Sequence, residues 1–150
     1  MVEYQRDKFV ISTDSARLHL EAIYAFLSGS YWADKRPKEV VARSLQHSLC
    51  FGMYDGERQI GLARVISDYA TYAYLCDVYV LEPYQGQGLG KWLMSVILAR
   101  PDLETVWRWC LITRDAHGLY RQFGFSELQS PDCHMEYKPR YRPEIPGGEA

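Results

Sequence analysis

Tyr84-Gln85-Gly86-Gln87-Gly88-Leu89-Gly90 is the stretch on which the reading of this chain turns. The run before it, Tyr74-Leu75-Cys76-Asp77-Val78-Tyr79-Val80-Leu81, has the β-branched and aromatic content of a strand. The run after it, Lys91-Trp92-Leu93-Met94-Ser95-Val96-Ile97-Leu98, has the character of a helix. A glycine-rich turn that feeds a helix N-terminus is an anion site. Its glycines admit a ligand close to the backbone, and its free N–H groups lie at the positive end of the helix dipole. Two common phosphate motifs fail on residue identity. A dinucleotide fingerprint through Gly86 and Gly88 needs glycine where Lys91 stands. A P-loop ending at Gly90-Lys91 needs glycine at Gln85 and a hydroxyl residue at Trp92.

The pattern that does fit is Gln/Arg-x-x-Gly-x-Gly/Ala, through Gln85, Gly88 and Gly90. It resembles the acyl-CoA-binding signature of the GNAT acetyltransferase superfamily. Downstream, Ala116-His117-Gly118-Leu119-Tyr120-Arg121-Gln122-Phe123-Gly124-Phe125 is similar to that family's Ala-x-x-x-Tyr-x-x-x-Gly-Phe segment. The resemblance covers residues 8–138 and is strongest from Asp77 to Phe125.

Outward from the turn, the elements alternate irregularly. Lys8 to Ser12 reads as a strand, and Thr13 or Asp14 can cap a helix over Ser15 to Leu27. Tyr31 to Arg36 is a loop, and Pro37 suits the first turn of a second helix ending near Gln46. Leu49–Tyr54, Gln59–Ile66 and Tyr72–Leu81 are strands, the first two joined by the hairpin signal Asp55-Gly56. A helix reaches about Ala99, a strand spans Thr105–Ile112, a short helix Asp115–Phe123, and Met135-Glu136-Tyr137 is a candidate edge strand. Hairpins in the middle and alternation at the end give an α+β chain with a mixed sheet. The resemblance implies the same: a single GNAT-like domain over residues 1–138, with a mostly antiparallel central sheet flanked by helices. Residues 139–150 are rich in Pro and Gly and read as a flexible C-terminal tail.

The resemblance also implies a cofactor, acetyl-CoA. Its pyrophosphate takes the backbone N–H groups of Gln85, Gly86, Gln87, Gly88, Leu89 and Gly90, with Lys91 adding charge. Its pantetheine arm pairs with the main chain of Val78, Tyr79 and Val80, where an N–H can also face the thioester carbonyl. Tyr120 is the candidate to give the leaving thiolate a proton or a hydrogen bond, against a plain packing role. Asp77 can hold the acceptor ammonium and take its proton, or it can point to the other side of the sheet and pair with an arginine. A charge inside an apolar strand requires some such partner. Some members of the resembling family that acetylate small amines carry two acids here, and Cys76 stands in place of one. Asp68 either forms its own turn or lines the acceptor pocket. Tyr31 and Trp32 either wall that pocket or cover the core. Taken with Asp68 and Asp77 they suggest an acidic floor suited to a cationic or amino acceptor. His117 reads as a solvent-facing helix residue, and Thr113 as a helix cap.

The function implied is an acetyl-CoA-dependent N-acetyltransferase that acts on a small primary amine by direct attack in a ternary complex. The alternatives are acetylation of a protein lysine or N-terminus, and a non-catalytic acyl-CoA-binding module. The net charge of −2 gives no global attraction to nucleic acid or to an anionic membrane. No apolar run approaches the roughly 20 residues that span a bilayer. The charged N-terminus and the scattered Cys50, Cys76, Cys110 and Cys133 fit a cytoplasmic protein with free thiols and no metal site. Homodimers are common in the resembling family, which leaves that assembly open.

Overall fold

The computed structural model describes residues 1–139, so the expected tail past Pro139 lies outside the described residues. Six strands, β1 (Glu3–Arg6), β2 (Phe9–Ser12), β3 (Leu49–Asp55), β4 (Arg58–Ser67), β5 (Tyr72–Val80) and β6 (Arg108–Leu111), lie side by side in chain order. Each is antiparallel to the one before except β6, which runs parallel to β5. A parallel neighbour requires a crossover, and helix α3 (Leu89–Leu98) supplies it. Helices α1 (Leu20–Ser28) and α2 (Lys38–Gln46) fall between β2 and β3, and α4 (His117–Arg121) follows β6. The mixed, mostly antiparallel sheet with flanking helices is the α+β architecture expected from the sequence.

Each sheet face has its own core. Leu89, Leu93, Met94 and Ile97 recur at helical spacing along α3 and bury against Phe51, Met53, Val65 and Leu75. Ile23 and Leu27 of α1 and Val41 and Leu45 of α2 cover the other face, against Leu62 and Tyr79. Leu75 and Tyr79 are four residues apart on one strand, so a regular pleat would put them on the same side. They lie in opposite cores. The cause is a β-bulge. Leu62 pairs with Tyr79 and Arg64 with Cys76, two steps along β4 against three along β5. Asp77 takes up the extra residue with a φ of 51°, a left-handed conformation that Asp tolerates better than most side chains.

Five details differ from the sequence-based expectation. The polar segment Glu3–Arg6 is a strand, paired through a turn at Asp7 whose φ is 54°. The first helix is divided: Asp14 caps a 3-10 turn at Ser15–Arg17, and α1 starts afresh at Leu20, where the Gln59 side chain accepts the His19 N–H at 2.8 Å. Pro37 sits one residue ahead of its helix, at the cap. The strand expected over Thr105–Ile112 shortens to β6. Met135-Glu136-Tyr137 is not a strand: it follows a 3-10 turn at Pro131–Cys133, pairs with no described residue and is exposed.

Gly61 of β4 lies opposite Val80, where a Cβ would stand 2.8 Å from the Tyr79 carbonyl oxygen. Both strands would have to part for Gly61→Ala to fit. The substitution is expected to cost about 1–3 kcal/mol, seen as a lower urea midpoint at unchanged slope.

Candidate active site

The glycine turn leaves β5 through a 3-10 turn at Glu82–Tyr84 and enters α3 at Leu89. Tyr84 anchors it to the sheet, its ring edge-on to Phe9 and its hydroxyl 3.1 Å from Asp55 Oδ2. Gly86 and Gly88 have φ of 83° and 82°, so the bend itself requires glycine at both. Gly90 has no such φ, and a Cβ there would meet nothing within 4 Å. The backbone N–H groups from Gly86 to Lys91, six in a row, have no acceptor among the described residues. Glycine at the helix start leaves this run of donors uncovered. The Leu89 side chain is buried in the core, so only its N–H is available to the turn.

Beside the turn, β5 has a free edge. Its pairing with β6 covers Tyr72–Leu75 alone. From Cys76 to Val80 it is paired only with β4. Val78, Tyr79 and Val80 therefore have no strand partner among the described residues on the side away from β4, and this edge leads into the turn. Gln85 closes the corner, its Nε2 donating to the Val80 carbonyl at 2.8 Å. The Tyr79 ring points away and stacks on Phe26 at 3.7 Å.

Asp77 has its side chain only 1% exposed and is bound on all sides. Arg36 Nη1 donates to both carboxylate oxygens at 3.0 and 2.9 Å, Arg64 Nε donates to Oδ2 at 2.8 Å, and Trp32 Nε1 donates to Oδ1 at 2.8 Å. Arg64 Nη1 is in turn 3.0 Å from Ser48 Oγ. Burial alone would raise the carboxyl pKa, but Arg36 and Arg64 hold it below the ordinary value. Of the two placements that the sequence left open for Asp77, the geometry is the arginine-paired one.

Tyr120 lies on α4, buried and edge-on to Phe125 at 5.9 Å. Burial, then the neighbouring Tyr31 and Asp115, pushes its phenol up to about 12. Tyr31 is tied to the same region, because its hydroxyl accepts the Arg114 N–H at 3.0 Å. Its ring carries the Arg114 guanidinium at 3.8 Å and meets Trp32 at 5.1 Å. Tyr31 and Trp32 thus link Asp77 to Arg114, in the loop ahead of the helix that carries Tyr120. A cleft of about 530 Å³ borders the other side of Tyr120, lined by Trp109, Thr113, His117 and Phe125, but it includes no residue of β5.

Asp68 does not join them. It caps the β4–β5 hairpin, accepting from the N–H groups of Ala70, Thr71 and Tyr72 and from the Thr71 hydroxyl, and these bonds hold its carboxyl well below the usual range. Five strand residues, Tyr72 to Cys76, separate this hairpin from Asp77, roughly 17 Å. Thr113 is not the cap of α4, which is Ala116; its Oγ1 accepts the Ala116 N–H at 3.1 Å just ahead of the helix, and His117 is exposed. Among the described residues no group of three His, Cys, Asp or Glu could hold a metal ion. Four arginines escaped the sequence reading. Arg6 reaches across from β1 and donates to the Gln87 and Gly88 carbonyls at 3.2 and 3.3 Å, holding the turn from behind. Arg36, Arg64 and Arg114 surround the site. An acid inside a strand signals that such partners exist, but nothing local says which arginines they are.

Residues 46–127 match the family model for the acetyltransferase (GNAT) domain. The crystal structure of a GNAT-family protein of Xanthomonas campestris pv. campestris is similar at 44% identity and a TM-score of 0.85, over 95% of this chain and 97% of that one. A Gibberella zeae protein with an acetyltransferase name, FG08082, is 33% identical over 63% of this chain and 64% of its own length. The chain spans less than two thirds of the length of the named relatives it matches. A GNAT family acetyltransferase of Elizabethkingia anophelis, solved with acetyl-CoA bound, shares the fold at a TM-score of 0.62 and 18% identity, over 87% of this chain and 88% of that one.

Asp77→Asn leaves the buried Arg64 without its counter-charge and is expected to cost about 3 kcal/mol near neutral pH. The native carboxyl is depressed, so its contribution is present above the unfolded value of about 4 and is lost as pH falls below it. Urea unfolding from neutral to acid pH should show the gap between wild type and variant narrow below about pH 4.

Proposed function

This chain belongs to the GNAT acetyltransferase family, and we propose that it moves an acetyl group from acetyl-CoA to the primary amine of a small molecule by direct attack in a ternary complex. The observation that carries this reading is the run of six unpaired N–H groups from Gly86 to Lys91, continuous with the unpaired edge of β5. The first part suits a pyrophosphate and the second an arm of amide groups. Acetyl-CoA, bound in the Elizabethkingia relative, supplies an activated acyl thioester.

The turn from Gln85 to Gly90 would hold the diphosphate, with the Lys91 ammonium beside it. Gly90 favours the same reading. Glycine is a poorer helix former than alanine, and no described residue fills the space its side chain would take. Val78, Tyr79 and Val80 would hold the arm by main-chain bonds. An N–H on that edge offers a donor to a carbonyl oxygen that gains negative charge. Tyr120 serves the sulfur. Its phenol, pushed up to about 12, keeps its proton at neutral pH. A thiol titrates near 8.5, so outright transfer to a thiolate would run uphill by several kcal/mol. Tyr120 therefore stabilises the departing sulfur by a hydrogen bond and lets water complete the protonation. Cys76 is no nucleophile here, because burial, only partly countered by Arg64, raises its thiol to about 11.

Calorimetry is expected to show acetyl-CoA binding, weakened about tenfold in Arg6→Ala, which frees the turn from behind. No binding by wild type overturns the reading. Tyr120→Phe is expected to lower kcat about 100-fold and leave acetyl-CoA affinity within about twofold. A parallel loss of both would make Tyr120 a packing residue. With the phenol titrating near 12, the variant should keep the wild-type rise of kcat/KM between about pH 6 and 9, where the acceptor amine loses its proton. Turnover with polypeptides alone would overturn the choice of a small amine.

A further inference from the structure

The acceptor side of the site is cationic. Arg36 comes from the loop between α1 and α2, Arg64 from β4 and Arg114 from the loop ahead of α4. Arg36 and Arg64 meet at one carboxylate, Asp77, and a chain of contacts links Arg114 to it. Arg114 lies on Tyr31, Tyr31 touches Trp32, and Trp32 and Arg36 share Asp77 Oδ1. Asp34 and Lys35, next to Arg36 in the loop, offset each other in charge. Even with Asp115 beside Arg114, arginines outnumber carboxylates by three to two.

Asp77 cannot serve as an ammonium receptor in this arrangement. Both of its oxygens already take two donors each, and a fourth partner would have to displace an arginine or Trp32. The free capacity lies with the cations. Arg64 is spent on Asp77 and Ser48 and is buried. Arg36 directs its side-chain hydrogen bonds at Asp77 from Nη1 alone, and the side chain is 28% exposed. The Arg114 guanidinium has no polar partner among the described residues. A guanidinium held face-on to a ring keeps its N–H edge free, and that edge matches a carboxylate in a two-point contact.

The geometry points to an acceptor amine that also bears a carboxylate or comparable anionic group, received by Arg114 and Arg36 beside the walls of Tyr31 and Trp32. This rests on the amine acetylation proposed above and narrows its substrate class. It reverses the acidic floor inferred from sequence, because Asp68 is remote and Asp77 is more than neutralised. The positive surroundings have a second use. A cation near an amine disfavours its protonated form, so more of the acceptor reaches the thioester as free base.

The test is an acceptor panel at one pH with acetyl-CoA saturating: an amino acid, its carboxamide and the matching diamine. The carboxylate-bearing amine is expected to have a kcat/KM about tenfold or more above its carboxamide, with the diamine poorest. Arg114→Gln should raise KM for the carboxylate about tenfold, keep kcat within about threefold, and leave the carboxamide unchanged. Arg114 is exposed, so the variant is expected to unfold like wild type in urea. Equal use of all three amines, preference for the diamine, or an Arg114→Gln effect shared by all acceptors overturns the anionic class while amine acetylation stands. Acetyl-CoA binding without turnover on any amine overturns both.

Discussion

The carboxylate of Asp77 fixes three separate pieces of chain to one point. Arg64 brings β4, Arg36 and Trp32 bring the α1–α2 loop, and Asp77 itself is the extra residue of the β5 bulge. A buried ion cluster is weak evidence of net stability, since well-packed apolar groups can do as well or better. Its force lies in the loss that follows when one member is missing, which leaves each partner only one tolerated position. The left-handed φ of Asp77 costs about 1–2 kcal/mol, and the surrounding bonds hold it in place. The loop that carries Tyr31 and the strand whose main chain turns outward are thereby kept in register without a covalent link.

Next to the bulge, the short β6 leaves β5 with missing pairs. β6 has only four residues and pairs with β5 as far as Leu75. Beyond that point β5 would be an exposed edge, which invites pairing with other chains. The edge is short, and it ends at once in the glycine turn, where Gln85 takes the Val80 carbonyl. Backbone donors left open in this way are costly when buried and useful when a ligand covers them. The same region shows why α3 begins where it does. The Leu89 side chain enters the core while its N–H stays with the turn, so packing of the helix aims the donors.

The glycine turn, the strand before it and the helix after it were legible because their signals are local. Positive φ at Gly86 and Gly88 needs glycine, and an amphipathic run needs only its own period. The hairpin at Asp55-Gly56 was legible for the same reason. Glu3–Arg6 was not, since a polar strand carries no alternation and is set by its pairing with β2. Met135–Tyr137 failed in the opposite sense: its composition suits a strand, but no neighbour among the described residues completes the ladder. Asp77 shows the limit most clearly. The sequence identified a carboxylate that had to be paired, and left its direction open. The bulge that sets the direction is a property of two strands together, and Arg36 is 41 residues away.

The protonation states around the site close the account of the chemistry. Asp77 is ionised and fully engaged, Tyr120 keeps its proton to about 12, and Cys76 holds its own to about 11. None of these three is poised near neutral pH, where a general base works best. The positions that are well determined are instead fixed donors: the N–H groups of the turn and strand, the Tyr120 hydroxyl and the arginines. On the acetyl-transfer proposal, an attacking amine would lose its proton to water rather than to any of these three groups. A site made of donors would, on that proposal, lower the barrier at the acyl carbon and at the sulfur, by placing hydrogen bonds where negative charge appears. Orientation of the two substrates then supplies much of the remaining acceleration. On the same proposal, selection among acceptors would fall to charge and shape at Arg36, Arg114, Tyr31 and Trp32, because the strand edge offers main chain, which would treat every amine alike.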